Sequence, residues 1–300
     1  MLFQPKRNTF LGIGSLLGAT FLYGFFGIFV KIIGYSLPLF YASVFRNFVG
    51  LLALAVPVYF FRAKVLKKIK KSDMVWMFLR SFFGLFAFLG SYIAFEKLSI
   101  GTTYLFFYSA ATIGGYFFGI VLFKEKLTSV KVLSLILALV GLVFIYSLNM
   151  TPGSLLYVFA AVISGIAYSV WSVFSKKVSD SYDPLQLNFV DFFLSFAFMT
   201  IISLLLRENW VMPEVNVFWV ANILFALTFI FTGQLIIIGY NNLEAQVASL
   251  VMLTEILFGV LLGFFVFQEV LSLPMILGGL LIITAIILPE LNFKKRLFLL

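Results

Sequence analysis

Ten apolar runs, each close to the length of a bilayer crossing and set apart by a few polar residues, govern what this chain can fold into. They lie near Leu11 to Ile33, Leu39 to Phe61, Met74 to Phe95, Gly101 to Phe123 and Val130 to Leu148. The other five lie near Ser154 to Phe174, Leu185 to Leu206, Val217 to Gly239, Ala245 to Phe267 and Leu273 to Leu288. A helix crosses the hydrocarbon core with roughly 20 apolar residues, so the pattern predicts an all-α integral membrane protein of ten transmembrane helices. Breakers fall between the runs, at Gly34 to Pro38, Asn149 to Gly153, Asp180 to Pro184, Arg207 to Asn216 and Asn241-Asn242. None of these connections is long enough to be a soluble domain.

Composition agrees, with 63% hydrophobic and only 11% charged residues. The chain has no cysteine and no histidine. That removes disulfides, thiol nucleophiles, imidazole bases and the usual zinc ligands together, so no metal or cofactor is expected. Lys6 and Arg7 precede the first run, which is too long for a signal peptide and reads as a retained helix.

Lysine and arginine placement predicts orientation, because cytoplasmic loops retain basic residues. With the amino terminus inside, 16 of the 21 lie at the inner face, in Lys6-Arg7, Arg62 to Lys71, Lys124 to Lys131, Lys176-Lys177 and Lys294 to Arg296. Only Lys97 and Arg207 fall outside, and Lys31, Arg46 and Arg80 fall within helices. Both termini are therefore expected in the cytoplasm. The net charge of +9 is accounted for by retention at the inner face and anionic lipid head groups, without nucleic acid.

The sequence also repeats. Phe123-Lys124-Glu125-Lys126-Leu127-Thr128 after the fourth run returns as Phe267-Gln268-Glu269-Val270-Leu271-Ser272 after the ninth, 144 residues on. Gly115 and Gly119 return at the same offset as Gly259 and Gly263, Tyr23 and Lys31 return as Tyr168 and Lys176 at 145, and Pro38 returns as Pro184 at 146. The halves are 1–148 and 149–300. Five crossings per half is an odd number, so the two halves must insert in opposite senses. Lys124 and Lys126 give way to Gln268 and Val270 on the side expected to face out, as inversion requires.

These residues resemble the drug/metabolite transporter superfamily, specifically its EamA-type members with two five-helix repeats. The resemblance covers nearly the whole chain. It is carried by Tyr23-Gly24 through Lys31, Pro38-Leu39 leading to Arg46, the Glu125 to Thr128 and Glu269 to Ser272 turns, and Gly141 with Gly278-Gly279. A proline common midway along the fourth and ninth helices of such families is absent, where this chain has Ala110-Ala111-Thr112 and Glu255-Ile256. The resemblance implies a bacterial inner membrane and export or exchange of amino acids or related metabolites.

Ionisable groups inside a bilayer are costly and tend to face a bundle interior or a watery cavity. Glu255 lies about ten residues, hence ~15 Å, into its crossing. It is the leading candidate to hold a substrate ammonium or carry a coupling proton, against a structural glutamate satisfied by a neighbouring helix. Arg80 and Asp191 are at similar depth from the inner face and could pair, as a structural or gating contact. Arg46, shallow from the outer face, is either a fork-shaped donor for a carboxylate or a packing residue. Lys31 and Lys176 sit at helix ends, where plain snorkelling is expected.

Of 40 phenylalanines and 13 tyrosines most are expected to face lipid. Tyr23, Tyr104, Tyr108, Tyr168 and Trp171 are the candidates to line a substrate site, since a ring with a polar tip can stack on and orient an organic substrate or cation. Gln234 and Asn188 are expected either to line the same cavity or to bond between helices. The glycine pairs are expected to pack the fourth and ninth helices in equivalent ways, a homodimer contact being their lesser use.

A secondary transporter working by alternating access is the expected function. The chain has no G-x-x-x-x-G-K-[ST] motif, so ATP is not its direct driver. An intramembrane enzyme is the weaker reading, because Tyr182-Asp183 lies in a loop and lacks the Gly-x-Gly-Asp partner an aspartyl protease needs. A channel or scaffold lacks rings of charge or a filter loop.

Overall fold

The computed structural model describes residues 8–34, 36–95, 97–146, 153–268 and 270–297. Lys6, Arg7, Asn149 to Thr151, Glu269 and the Lys31 side chain lie outside the described set. The described chain contains twelve helical segments: α1 (Thr9–Gly24), α2 (Phe26–Ile33), α3 (Leu39–Val65), α4 (Lys71–Phe95), α5 (Ile100–Phe123) and α6 (Ser129–Ile145), followed by α7 (Leu155–Val178), α8 (Pro184–Leu205), α9 (Val217–Asn242), α10 (Ala245–Met252), α11 (Thr254–Phe267) and α12 (Leu273–Leu297).

Eight stretches are long and apolar enough to cross a membrane, counting α1 with α2 and α10 with α11 as one each, and α6 and the start of α12 are shorter apolar helices. Their outer faces are apolar too. Phe10, Val56, Leu156, Phe231 and Phe265 all stand more than half exposed, a surface that suits lipid and not water.

Helix ends follow the local sequence. Asp183 caps α8 and is followed by Pro184 at the first helical position, and the Asn216 side chain accepts from Phe218 N and Trp219 N to open α9. Lys124 (φ 54°, ψ 34°) and Gln268 (φ 58°, ψ 31°) close α5 and α11 in the left-handed conformation, unusual for residues other than glycine. They stand 144 residues apart, so the sequence repeat is also a repeat of backbone shape.

Two apolar runs that read as single helices are each interrupted by one residue. Phe25 N bonds to Leu22 O at 3.2 Å and Leu253 N to Leu250 O at 3.0 Å, so both are tight i to i−3 turns within a helix. At the second, the Thr254 hydroxyl donates to Val251 O at 2.8 Å, a back-bond that bends helices. At the first, Gly24 lies against Leu262 and Phe258 of α11, so the interruption sits where the two bent crossings meet. The Thr20 and Thr254 hydroxyls are hydrogen-bonded to each other at 2.7 Å.

The main packing pairs join one half of the chain to the other: α4 with α7, α5 with α7, α6 with α12, α3 with α8, α1 with α9 and α1 with α11. Exchanging the halves maps this set onto itself. At α6 and α12 the backbones touch, since a Cβ added to Gly141 would lie 2.8 Å from Gly278 O and one added to Gly278 would lie 2.5 Å from Gly141 O.

Gly115 and its repeat counterpart Gly259 are packed differently. Gly115 lies against Ser249 and Gly119 against Gln246 of α10, whereas a Cβ on Gly259 would meet nothing within 4 Å. Past the turn at Leu253 it is α10, not α11, that packs on the glycine face of α5.

Candidate functional site

Glu255 stands in the first turn of α11, just past the tight turn at Leu253. Its carboxylate faces the Tyr108 side chain of α5. Tyr23 from α1, Tyr104 from α5, Tyr146 at the end of α6 and Tyr168 from α7 lie within electrostatic reach of the same carboxylate. The rings also touch one another: Tyr104 and Tyr108 centroids are 5.6 Å apart, Tyr104 and Tyr146 6.1 Å, and Tyr168 and Trp171 5.7 Å. Beside them, a cavity lined by Tyr108, Thr112, Tyr168, Ser169, Tyr240 and Ser249 has room for about one water molecule. The Tyr168 hydroxyl is buried beside Ser172.

Among the described acids that line the bundle interior, Glu255 is set apart by the absence of a described basic side chain beside it. Three other acids have one: Asp191 is salt-bridged to Arg80, Glu125 to Lys176 at 2.7 Å, and Glu244 to Lys131. Among the described residues no lysine or arginine lies within ion-pair distance of Glu255. A charged carboxylate in such surroundings is costly without compensation, which a proton or a cation can supply.

Arg80 and Asp191 pair across the packing of α4 and α8, and the pair is boxed in. Ser81 donates to Asp191 Oδ1 at 2.5 Å, Trp171 Nε1 donates to Oδ2 at 3.2 Å, and Arg80 Nε donates to Ser175 Oγ at 2.8 Å. Arg80 is 1% exposed and lies over the Trp171 ring. Trp171 thus supports this pair from one face while touching Tyr168 of the Glu255 cluster.

Arg46 lies over the Phe225 and Phe229 rings, 4.5 and 5.4 Å from their centroids, and donates to Ser43 at 2.9 Å. Phe229 in turn touches Tyr23. Asn188 donates to Ile230 O at 2.8 Å and so bonds α8 to α9. Gln234 Nε2 is buried without a partner, and neither amide lines the small cavity.

Lys176 departs from the snorkelling expected of a helix end. It is 5% exposed, and its ammonium donates to Glu125 Oε1 and to Leu243 O, both at 2.7 Å. The α5 to α6 turn carries Glu125 to this level, where it and the Leu243 carbonyl give the buried ammonium the partners it needs.

A chain of known crystal structure superposes with a TM-score of 0.77 at 18% identity, covering 95% of this protein and 98% of that chain, which establishes the fold. The profile of the EamA-like transporter family matches twice, over residues 10–147 and 155–289. The chain belongs to the EamA-like transporter family. Curated relatives span it almost end to end. Two Helicobacter pylori proteins, each described as an uncharacterized transporter, are 26% and 28% identical over 95% of this chain and 99% of their own length. The Bacillus subtilis uncharacterized transporter YoaV is 21% identical over 94% of this chain and 97% of its own.

Within this EamA-like protein the two family matches correspond to the two sets of crossings, and the Glu255 cluster draws on both. Tyr23, Tyr104, Tyr108 and Tyr146 come from the first match, and Glu255, Tyr168 and Tyr240 from the second. Tyr146 and Tyr240 were not singled out by sequence. Each sits near the polar end of its crossing, where a tyrosine reads as an interfacial anchor.

Proposed function

We propose that this protein is a secondary carrier of a small organic metabolite bearing an ammonium group, an amino acid or related compound, moved by export or exchange. The observation that carries this reading is the unpaired Glu255 carboxylate among tyrosine rings, a combination suited to a cationic nitrogen. The substrate ammonium sits against Glu255, the rings enclose its body, and a proton neutralises the carboxylate between substrates. A carrier that exchanges the two follows directly.

In this reading the chain crosses the bacterial inner membrane ten times as two inverted five-helix repeats, 1–148 and 149–300, with both termini in the cytoplasm. Support for ten comes from α6, whose 17 residues reach ~25 Å at 1.5 Å per residue, and from α12 beside it. Support for the orientation comes from the basic residues of the 62–71, 124–131 and 176–177 segments at one end. Access alternates about Glu255 as one repeat moves against the other.

The test is uptake into proteoliposomes of radiolabelled amino acids, small organic amines and matched carboxylates, with wild type beside Glu255→Gln. Saturable transport of an amine-bearing compound, reduced about 100-fold or more in the variant, is expected for a charge required at the site. Undiminished transport by Glu255→Gln removes Glu255 from the cycle. A well-folded protein that moves no solute refutes the carrier and returns the enzyme and scaffold readings.

A further inference from the structure

The family's Glu125 turn takes no part in the central site, yet both oxygens of its carboxylate are engaged. Oε1 accepts from the Lys176 ammonium at 2.7 Å and from Ala245 N at 2.7 Å, and Oε2 accepts from Gln246 N at 3.1 Å. Lys176 adds a bond to Leu243 O. Glu125 belongs to the first half, while Lys176 and the start of α10 belong to the second. All of these contacts lie at the basic, inward end of the bundle.

The first turn of α10 has no cap of its own, since the Glu244 side chain that precedes it pairs with Lys131 and makes no capping hydrogen bond to the helix. Its leading N–H groups are satisfied by an acid from the other half of the chain. Parting the halves here would break three bonds of one carboxylate, to the Lys176 ammonium and to the Ala245 and Gln246 N–H groups.

A second observation shows a cost in the closed arrangement. The Gln246 side chain is fully buried, and both ends of its amide lack a hydrogen-bond partner among the described residues. Buried amides are ordinarily satisfied, so closure of the junction strands one. The ion pair and the cap favour the closed state, and the stranded amide opposes it.

Alpha-helix α10 is also a separable piece. Its eight residues are all buried, and the tight turn at Leu253 divides it from α11 and Glu255. Gly115 and Gly119 of α5 form a side-chain-free track against Ser249 and Gln246.

We infer that Glu125, Lys176 and the first turn of α10 form the inner gate of the carrier, a latch between the two halves that opens when α10 swings about Leu253 and exposes the central site to the cytoplasm. This rests on the carrier reading, but its test needs no substrate.

The chain has no cysteine, so a single introduced thiol reports water access without background. Ser249→Cys on α10 lines the small central cavity and is 5% exposed, and Ser43→Cys on α3, 1% exposed, reports the opposite end. The full-length protein in proteoliposomes is treated with a membrane-impermeant maleimide from either side. Adding Glu125→Gln is expected to speed inner-side labelling of Ser249→Cys about ten-fold, the size of a modest population shift. Adding Gln246→Met, which removes the stranded amide, is expected to slow it. Labelling of Ser43→Cys from outside should not rise in either.

An unchanged rate with Glu125→Gln, or both substitutions moving the rate the same way, overturns the latch. So does a parallel rise at both reporters, which is general loosening. If Glu125→Gln does not fold, the Gln246→Met arm decides alone, because faster or equal labelling contradicts the inference. Labelling that responds as expected in a protein that transports nothing would refute the carrier while leaving the moving junction in place.

Discussion

Helix α5 and its counterpart 144 residues later began as the same crossing and now differ where the site lies. The first runs unbroken from Ile100 to Phe123, while the second is divided at Leu253 into α10 and α11. Ser109, Ala110 and Ala111 occupy the places that became Leu253, Thr254 and Glu255. Alpha-helix α7 is likewise continuous through Val170, whereas its counterpart is interrupted at Phe25 between α1 and α2. One member of each pair has stayed a rigid rod. The bent members meet each other through Thr20 and Thr254 and carry the lone carboxylate. Duplication supplies two equivalent faces, and the divergence has given one the stiffness and the other the bend and the charge.

The widest gap between the two sides should appear in stability. Asp191→Ala leaves Arg80 buried without its partner, and thermal or denaturant unfolding in detergent should register a loss of about 3–5 kcal/mol. Glu255→Gln should cost nothing by the same assay, since it removes an uncompensated charge. If both variants lose stability alike, Glu255 is a packing residue and the distinction collapses. Next in size, Gly115→Ala places a Cβ 2.5 Å from the Ser249 Cβ and should cost about 1–3 kcal/mol. Thr254→Val removes both the back-bond to Val251 and the bond to Thr20, for a loss of about 1 kcal/mol in unfolding. Smallest is Gly259→Ala, where the added methyl meets open space. Unfolding should then show no change or a gain of up to about 1 kcal/mol from helix propensity. A large loss there would mean that the two glycine pairs are used alike after all.

Much of this was legible in the residues because a bilayer imposes its thickness on every crossing. The apolar runs set the helices, the basic residues mark one end, and the recurring Gly115, Gly119 and Glu125 pattern exposes the duplication. Equal depth was enough to bring Arg80 and Asp191 together. The interruptions were not legible, because Thr254 is an unremarkable residue in an apolar run and a one-residue tightening leaves the pattern of hydrophobicity intact. Nor was the burial of Lys176. Its partner Glu125 lies 51 residues away, and the N–H groups that Glu125 accepts from lie 120 and 121 residues beyond Glu125. Backbone caps supplied across halves leave no local spacing for sequence reasoning to find.

The interleaved packing bears on how such a chain is made. Helices α4 and α5 both find their main neighbour in α7, and α6 finds its own in α12, well into the second half. Synthesis therefore delivers the first half into the bilayer with its docking surfaces covered only by lipid, including the bare Gly141 seam. Arg80 must wait in the same way, without a counter-ion until Asp191 leaves the ribosome. Assembly is consequently a late event that draws both halves together at once, and a chain stopped midway has no finished half to fall back on.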